Sequence, residues 1–453
     1  MRYPTSLPAF FLAVTVLFAA GCTHHRQYRR DLVACDTTLP TPPCTEAAIE
    51  ITPDYKLGFV EFDDQGWFWE RTQFDVVKEM LRAEASVGRS NVTQGVIMVL
   101  FVHGWKNNAA FDNENVAMFR RTLRELERAE RALANTNATH PRKVVGVYAG
   151  WRGLSAKWEP FKELSFWERK NTAHKIGHGA MTQLLADLEN IQTASNRAIG
   201  PDGPRTEFII MGHSFGGAAV YSAISQIITE RFVDTVERGR PLKPLGDVVI
   251  LLNPAFEASR HYSLNERASL IQRFPPSQLP VLAIFTSRGD WATRYAFPIG
   301  RYFSTMFEKA RRDPPQGKAN RSAVGWFKPF INYDLVYDAN ATNSPTTAIR
   351  QSTYNRKTKA HEYHREGRME KSVENTSVQQ EKWKRETPEP IEFSFDDCVL
   401  KPRAGFKPGY PFLIVSVDKK IMSGHGDLAN PVLINFLREF IVFCQPQPRR
   451  VSK

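Results

Sequence analysis

The segment Gly212-His213-Ser214-Phe215-Gly216 follows the apolar run Glu207-Phe208-Ile209-Ile210-Met211. A helix-compatible stretch, 218–228, comes directly after it. A serine at the tip of such a strand-to-helix turn holds a strained backbone conformation. Strand and helix then pass so closely that the positions two before and two after it must be nearly without side chains. Gly212 and Gly216 meet that need. A strained serine is costly as a mere connector, which points to a hydrolytic nucleophile on a nucleophile elbow. The competing reading is a helix N-cap serine after a buried strand.

A nucleophilic serine needs a base and an orienting acid. Asp290 closes the run Val281-Leu282-Ala283-Ile284-Phe285-Thr286-Ser287-Arg288-Gly289-Asp290. A buried strand followed by a turn places this carboxylate at the carboxyl edge of a sheet, where such sheets bind ligands. Aspartate also caps turns, so a structural role competes. Glu257 is the substitute acid, and Asp247 is less suited because it begins its strand. For the base we choose His425, within Met422-Ser423-Gly424-His425-Gly426-Asp427. Its flanking glycines allow a tight loop that brings the imidazole over the serine. Asp427 suits a helix cap. His213 reads as packing beside the nucleophile. His174 and His178 stand four apart with no third ligand nearby and read as surface or cap residues, so no metal is expected. A serine mechanism requires no cofactor.

These residues need elements to hold them. Short apolar runs at 95–102, 143–148, 207–211, 247–252, 281–285 and 411–417 predict buried strands. Helical patterns at 113–134, 172–193, 218–228 and 430–443 alternate with them. The alternation predicts an α/β sheet covered on both faces. Residues 51–445 form the globular part, and 22–50, polar and proline-rich, read as a flexible tether. Segment 301–404 is an insertion before the last core strand. Within it, 351–392 carries mixed charge and few aliphatics, and is expected to be exposed and conformationally variable.

Together these motifs resemble the α/β-hydrolase superfamily, especially bacterial serine hydrolases with a His-Gly oxyanion strand and a Gly-His-Ser-x-Gly elbow. The resemblance covers roughly residues 90 to 300 and 405 to 445. It implies a mostly parallel central sheet with helices on both faces. The chain order Ser214, Asp290, His425 is the order of that superfamily. By the same resemblance the backbone N–H groups of Phe215 and Trp105 form the oxyanion hole, with His103 and Gly104 shaping the loop. The implied reaction is hydrolysis of a small carboxylic ester or acyl substrate through an acyl-enzyme. Amide or peptide hydrolysis stays open, as does a non-catalytic, envelope-binding lipoprotein that keeps the fold. Trp151, Trp158, Phe161, Phe166 and Trp167 either cover the site or belong to the core.

The start of the chain reads as an export signal: Arg2, then the mostly apolar stretch 7–20, then Gly21-Cys22. Ala19-Ala20-Gly21-Cys22 resembles a bacterial lipoprotein cleavage box, although a larger aliphatic residue is more usual at position 19. The resemblance implies removal of 1–21, lipidation of Cys22 and a membrane-anchored chain that faces the periplasm; ordinary secretion with Cys22 spare, or an uncleaved anchor, is the alternative. The net charge of +12 comes without any nucleic-acid-binding motif, so no nucleic-acid partner is expected. An oxidising compartment permits the disulfides Cys35–Cys44 and Cys398–Cys444, although four cysteines allow three pairings and buried thiols are the alternative. Intact-mass analysis of membrane-extracted protein is expected to show acylated Cys22 and no residues 1–21. An unmodified Cys22 after export overturns that expectation.

Overall fold

A computed structural model describes residues 25–38, 44–86, 95–136, 140–155, 161–200, 203–308, 314–339, 352–355, 360–363, 369–385, 391–405, 407 and 409–445. The expected signal segment and Cys22 lie outside these residues. The strands are β1 (Cys35–Asp36), β2 (Ile49–Ile51), β3 (Tyr55–Phe62), β4 (Val96–Val102), β5 (Lys143–Trp151), β6 (Glu207–His213) and β7 (Val248–Leu252). They continue as β8 (Leu282–Ser287), β9 (Tyr333–Tyr337), β10 (Ser352–Asn355), β11 (Ala360–Tyr363), β12 (Phe393–Phe395), β13 (Cys398–Pro402) and β14 (Phe412–Val417). The first helices are α1 (Arg71–Glu84), α2 (Glu114–Thr136), α3 (Phe161–His178), α4 (Ala180–Ile199) and α5 (Phe215–Thr235). Then come α6 (Ser259–Leu270), α7 (Phe297–Ser304), α8 (Pro314–Arg321), α9 (Met369–Lys384) and α10 (Pro431–Phe443).

The architecture is a mixed α/β one around a 12-stranded sheet ordered β1-β2-β3-β5-β4-β6-β7-β8-β14-β9-β13-β12. From β3 to β9 every neighbouring pair is parallel. All these strands therefore end on one edge, and loops from several of them meet there. The strands read as continuous apolar runs because both faces are covered. In β4, Met98, Leu100 and Val102 enter one core with Leu81 of α1, Leu184 of α4 and Ile224 of α5. Ile97, Val99 and Phe101 enter the other, with Phe119 and Leu123 of α2 and Phe436 and Phe440 of α10.

Four expectations are corrected. The stretch expected as a tether, 22–50, is docked wherever it is described. Arg29 is fully buried: Nε donates to the Ala109 carbonyl at 2.8 Å, and Nη1 pairs with Glu50 at 2.9 Å. Its guanidinium carbon lies 3.7 Å from the Phe59 ring centre. The Glu61 carboxylate accepts the N–H groups of Tyr28 and Arg29. A buried charged side chain thus helps anchor this segment, beside the buried Ala47, Ala48 and Ile49, and hydropathy gives no hint of the arginine's place.

The insertion is not merely a surface excursion. It supplies β9, β12 and β13, which extend the sheet beyond β14. Part of 351–392 is also packed. Thr376, Gln379, Gln380 and Trp383 of α9 are buried. Gln380 donates to the carbonyls of Phe443 and Gln445, and the Trp383 indole donates to Gln278 at 2.6 Å. That inward face has helical spacing but is mostly polar, so it reads as surface in sequence.

The helix expected over 172–193 is two helices, broken at Gly179. A Cβ there would stand 2.4 Å from the Gly66 carbonyl oxygen, where the chain turns around that loop. Cys35 and Cys44 form a disulfide, with Cα atoms 5.6 Å apart. Cys398 and Cys444, expected as a second bridge, are buried thiols not joined to each other. Contacts of Phe395 with Phe436, Phe440 and Phe443 already hold this part of the sheet to α10. The two cysteines pack in that cluster as small apolar side chains.

Arg29→Ala leaves Glu50 buried with Arg120 as its remaining cationic partner. We expect this change to destabilise the chain by about 3 kcal/mol. A lower urea midpoint at unchanged slope is the readout.

Candidate active site

Ser214 sits between β6 and α5 with φ 55° and ψ −120°. A non-glycine residue in that region costs about 1–3 kcal/mol and persists only when its surroundings over-determine it. Here they do. The Ser214 N–H donates to the Leu252 carbonyl at 3.0 Å, and the Ser214 carbonyl accepts the Ala255 N–H at 3.0 Å. A Cβ on Gly216 would stand 2.1 Å from the carbonyl oxygen of Val102, so only glycine lets α5 start against the end of β4. Gly212 faces the backbone of Gly216 and Gly217 in the same way.

His425 and Asp290 complete a hydrogen-bonded chain. The His425 Nε2 lies 2.8 Å from the Ser214 Oγ, and its Nδ1 lies 2.9 Å from Oδ2 of Asp290. Asp290 is fully buried, whereas the His425 side chain keeps a quarter of its surface open. Thr293 donates to both oxygens of Asp290, through its N–H at 3.0 Å and through its hydroxyl. The Trp326 indole N–H donates in turn to the Thr293 hydroxyl at 2.9 Å. Burial opposes the Asp290 charge, but the hydrogen bonds from His425 and Thr293 outweigh it and hold the carboxyl below its usual range.

The loop after β4 lies against the serine. A Cβ on Gly104 would be 2.6 Å from the Ser214 Cβ, which places His103-Gly104-Trp105 beside that serine. Phe215 is the first residue of α5, so its N–H has no intrahelical acceptor. His103 is fully buried. Its Nδ1 donates to the Gly104 carbonyl at 2.9 Å, and its Nε2 accepts the Trp151 N–H at 3.0 Å. The two partners fix its tautomer, and burial pushes its pKa down to about 4. Lys106, at φ 68°, donates its N–H to the Gly153 carbonyl, and the Asn107 carbonyl accepts the Gly153 N–H. The loop is thus shaped by fixed polar contacts.

His213 does more than fill space. Its Nε2 donates to the His425 carbonyl at 2.8 Å, holding the His425 loop. Burial and the neighbouring His425 lower its pKa to about 3. Sequence reasoning missed Asn253. This fully buried residue at the end of β7 donates to the carbonyls of Gly424 and His425 and accepts the Ser287 N–H at 2.8 Å. Its φ of 44° was not legible, but an asparagine followed by proline at a strand end was an available signal. Thr293 and Trp326 had no sequence signal.

The other acids are engaged elsewhere. Glu257 is buried among Lys170, Arg260 and Arg301, whose charges outweigh its burial and lower its carboxyl to about 2. Asp247 precedes β7 at the opposite edge of the sheet, where it accepts the Phe208 N–H and the Gln192 amide. His174, expected as a surface or cap residue, is buried against the Ser222 hydroxyl at 2.8 Å. Among the described residues no group of His, Cys, Asp and Glu is placed to hold a metal. Of the aromatic cluster, Trp151 stacks on His103, and Phe166 packs between Trp105 and Phe215. Trp158 lies outside the described residues.

No family model matches the chain, and no curated protein matches it. Among solved structures, a Trichoderma reesei cutinase in complex with a C11Y4 phosphonate inhibitor is similar at 14% identity and a TM-score of 0.16. The match covers 41% of this chain and 65% of that one, less than two thirds of the cutinase's length. A likeness of that size fixes neither fold nor reaction for this chain.

The buried histidines set a pH dependence. Unfolded histidine titrates near 6.5 (about that value), whereas folded His103 and His213 titrate at about 4 and about 3. Below pH 6.5 the unfolded chain takes up protons that the folded one refuses, so stability is full above that pH and falls as the pH drops toward 4. His213→Gln is expected to remove about 2 kcal/mol of the loss between pH 7 and pH 5. Urea titrations of both proteins at the two pH values measure it.

Proposed function

We propose that the chain is a serine hydrolase of the α/β-hydrolase type that cleaves carboxylic esters through an acyl-enzyme. The observation that carries this reading is the unbroken chain from the Ser214 hydroxyl through His425 to the buried Asp290 carboxylate. A strained serine, an imidazole in contact with its oxygen and an orienting acid form the arrangement that turns a hydroxyl into a nucleophile.

His425 Nε2 takes the Ser214 proton as Oγ attacks the ester carbonyl carbon. The resulting oxyanion forms at the first turn of α5, where we assign the N–H groups of Phe215 and Trp105 as its donors. His425 passes the proton to the leaving alkoxide, and the acyl group remains on Oγ. Water, deprotonated by the same imidazole, attacks that ester and frees Ser214. Asp290, held by Thr293, orients the imidazole and stabilises its charged form. No metal or cofactor enters these steps. Phe166, against both Trp105 and Phe215, gives the acyl side an apolar wall, which supports a hydrocarbon acyl group.

The anchor belongs to the same reading. We take Cys22 as the lipidated first residue of the processed chain, on the motif Ala19-Ala20-Gly21-Cys22, with the catalytic part in the periplasm of a bacterial envelope.

A fluorophosphonate is expected to label Ser214, as read by peptide mapping. Ser214→Ala should abolish labelling with the chain still folded. Asp290→Asn should lower kcat for a short ester by about 10⁴-fold. Undiminished ester turnover in Ser214→Ala, or labelling at another serine, overturns the proposal. Faster turnover of matched amides than of esters shifts it to an amidase, and a folded, unreactive chain shifts it to a binding protein.

A further inference from the structure

The stretch after Asp290 is apolar on its outer side as well as its inner one. Trp291 and the wide turn Ala292–Ala296 run without a break into α7. Phe297 and Gly300 face inward, and the Trp167 indole lies directly on Gly300. Outward stand Trp291, Tyr295, Ile299, Tyr302 and Phe303, with Phe307 just beyond; Trp291 is 66% exposed, Phe303 65% and Phe307 91%. The first five recur at the spacing of one helix face. The inward side of this stretch also holds Thr293 and Arg301, the latter paired with Glu257, so most of its large apolar side chains stand outward. Here protein covers one half only. A contiguous apolar patch of this kind marks an interaction surface.

Its chemistry narrows the occupant. Trp and Tyr combine an apolar body with a polar edge, which suits a water–lipid boundary. Arginines accompany them: Arg294 lies 5.0 Å from the Tyr295 ring centre and Arg321 5.1 Å from that of Tyr302. The whole chain carries a net charge of +12. An apolar face with cationic companions fits an anionic lipid surface better than a purely apolar protein contact.

Position narrows it further. Trp291 follows Asp290, so the patch opens at the carboxyl edge of the sheet, beside the triad. The first described residues dock along that edge too. His25 packs on Trp69 with ring centres 4.4 Å apart, and Tyr28 accepts a hydrogen bond from Asn108, in the loop after β4. In the turn after β3, Trp67 is exposed. Cys22 stands three residues before His25, a reach of about 10 Å at most. In sheet order β3 and β8 are five strand spacings apart, about 24 Å. A lipid on Cys22 would therefore bring this edge, and not the opposite one, to the bilayer.

We propose that the outer face of α7 and the turn before it docks on an anionic phospholipid bilayer, holding the triad's edge against the lipid. The proposal adds, resting on the ester-hydrolase reading, that the substrate is an acyl ester drawn from that bilayer. A track of aromatic contacts leads inward from the docked helix: Phe297 to Trp167 at 6.1 Å, Trp167 to Phe166 at 5.0 Å, and Phe166 to Phe215 at 4.6 Å, beside Ser214.

The test separates docking from turnover. The processed chain from residue 22 with Cys22→Ser is mixed with sucrose-loaded vesicles of phosphatidylcholine, with and without phosphatidylglycerol, and sedimented. It should bind the phosphatidylglycerol vesicles. Adding Ile299→Ser, Phe303→Ser and Phe307→Ser should weaken that binding at least tenfold. Circular dichroism and turnover of a short water-soluble ester should stay within twofold, while turnover of a vesicle-embedded long-chain ester falls. Ser214→Ala should bind vesicles like its parent. Absence of turnover on both esters removes the hydrolase reading and leaves the sedimentation result standing. Docking is overturned by failure of the parent to bind, by unchanged binding in the triple variant, or by equal binding to pure phosphatidylcholine. A parent dimer that the triple variant dissolves, without vesicle affinity, overturns it in favour of a contact between two copies.

Discussion

One buried amide holds the site together. The carboxyl edge gathers Ser214, Asp290 and His425 from positions separated by up to 211 residues in the chain. No covalent link joins the three loops. Asn253 lies between them, its Nδ2 on the carbonyls of the His425 loop and its Oδ1 on the N–H of Ser287. Ser287 then donates to the Met422 carbonyl and accepts the Gly289 N–H, which closes the turn leading to Asp290. Asp290 and His425 are thus fixed to one another through polar groups that are fully buried. Such groups are costly when left unmet, so the loops have few alternative arrangements.

The serine is fixed by a different force, steric exclusion. Gly104 brings one backbone against the Ser214 Cβ, and Gly216 brings the start of α5 against the carbonyls of Val102 and His103, both where a methyl group would clash; Ser214 stands at positive φ between them. Packing of β4, β6 and α5 in the common core supplies the free energy that holds the strained turn. Strain at Ser214 and polar cross-links at His425 are complementary. The first aims the hydroxyl outward, and the second sets the imidazole at hydrogen-bond distance from it.

This division explains what could be read from the sequence. The apolar strands, the glycine-flanked serine, the aspartate at a strand end and the glycine-flanked histidine each leave a local pattern, and the structure brings those three side chains together. Thr293 and Trp326 leave none, because their residue types are common; Asn253 leaves only the Asn-Pro step after β7, while its partners Ser287, Gly424 and His425 lie far along the chain. Arg29 and Gln380 misled for the opposite reason. Their polar side chains suggest surface, yet each finds enough partners to be buried. The bound on what periodicity can show is also visible in α7. Outward Ile299, Tyr302 and Phe303 are as apolar as inward Phe297, so hydropathy does not tell which side is covered.

The insertion gains a positioning role from its place in the sheet. Without β9, β14 would be an edge strand with one neighbour, β8. With it, β14 is paired on both sides, Val417 standing opposite Ser287 and Leu335. The pairing continues past the strand's end, where the Asp418 N–H donates to the Leu335 carbonyl and the Arg288 N–H to the Val417 carbonyl. Ile421 and Met422 then fold back on Asp418 before the loop reaches His425. The insertion thus braces the strand that leads to His425, the backbone bond from Asp418 to β9 standing seven residues before that histidine. Exposed edge strands fray and slip in register, and a shift of one residue reverses every side chain. A base that must sit 2.8 Å from a hydroxyl cannot be carried on such a strand. Covering that edge with β9, β13 and β12 removes the difficulty, at the cost of a long excursion whose sequence looks unrelated to the chemistry.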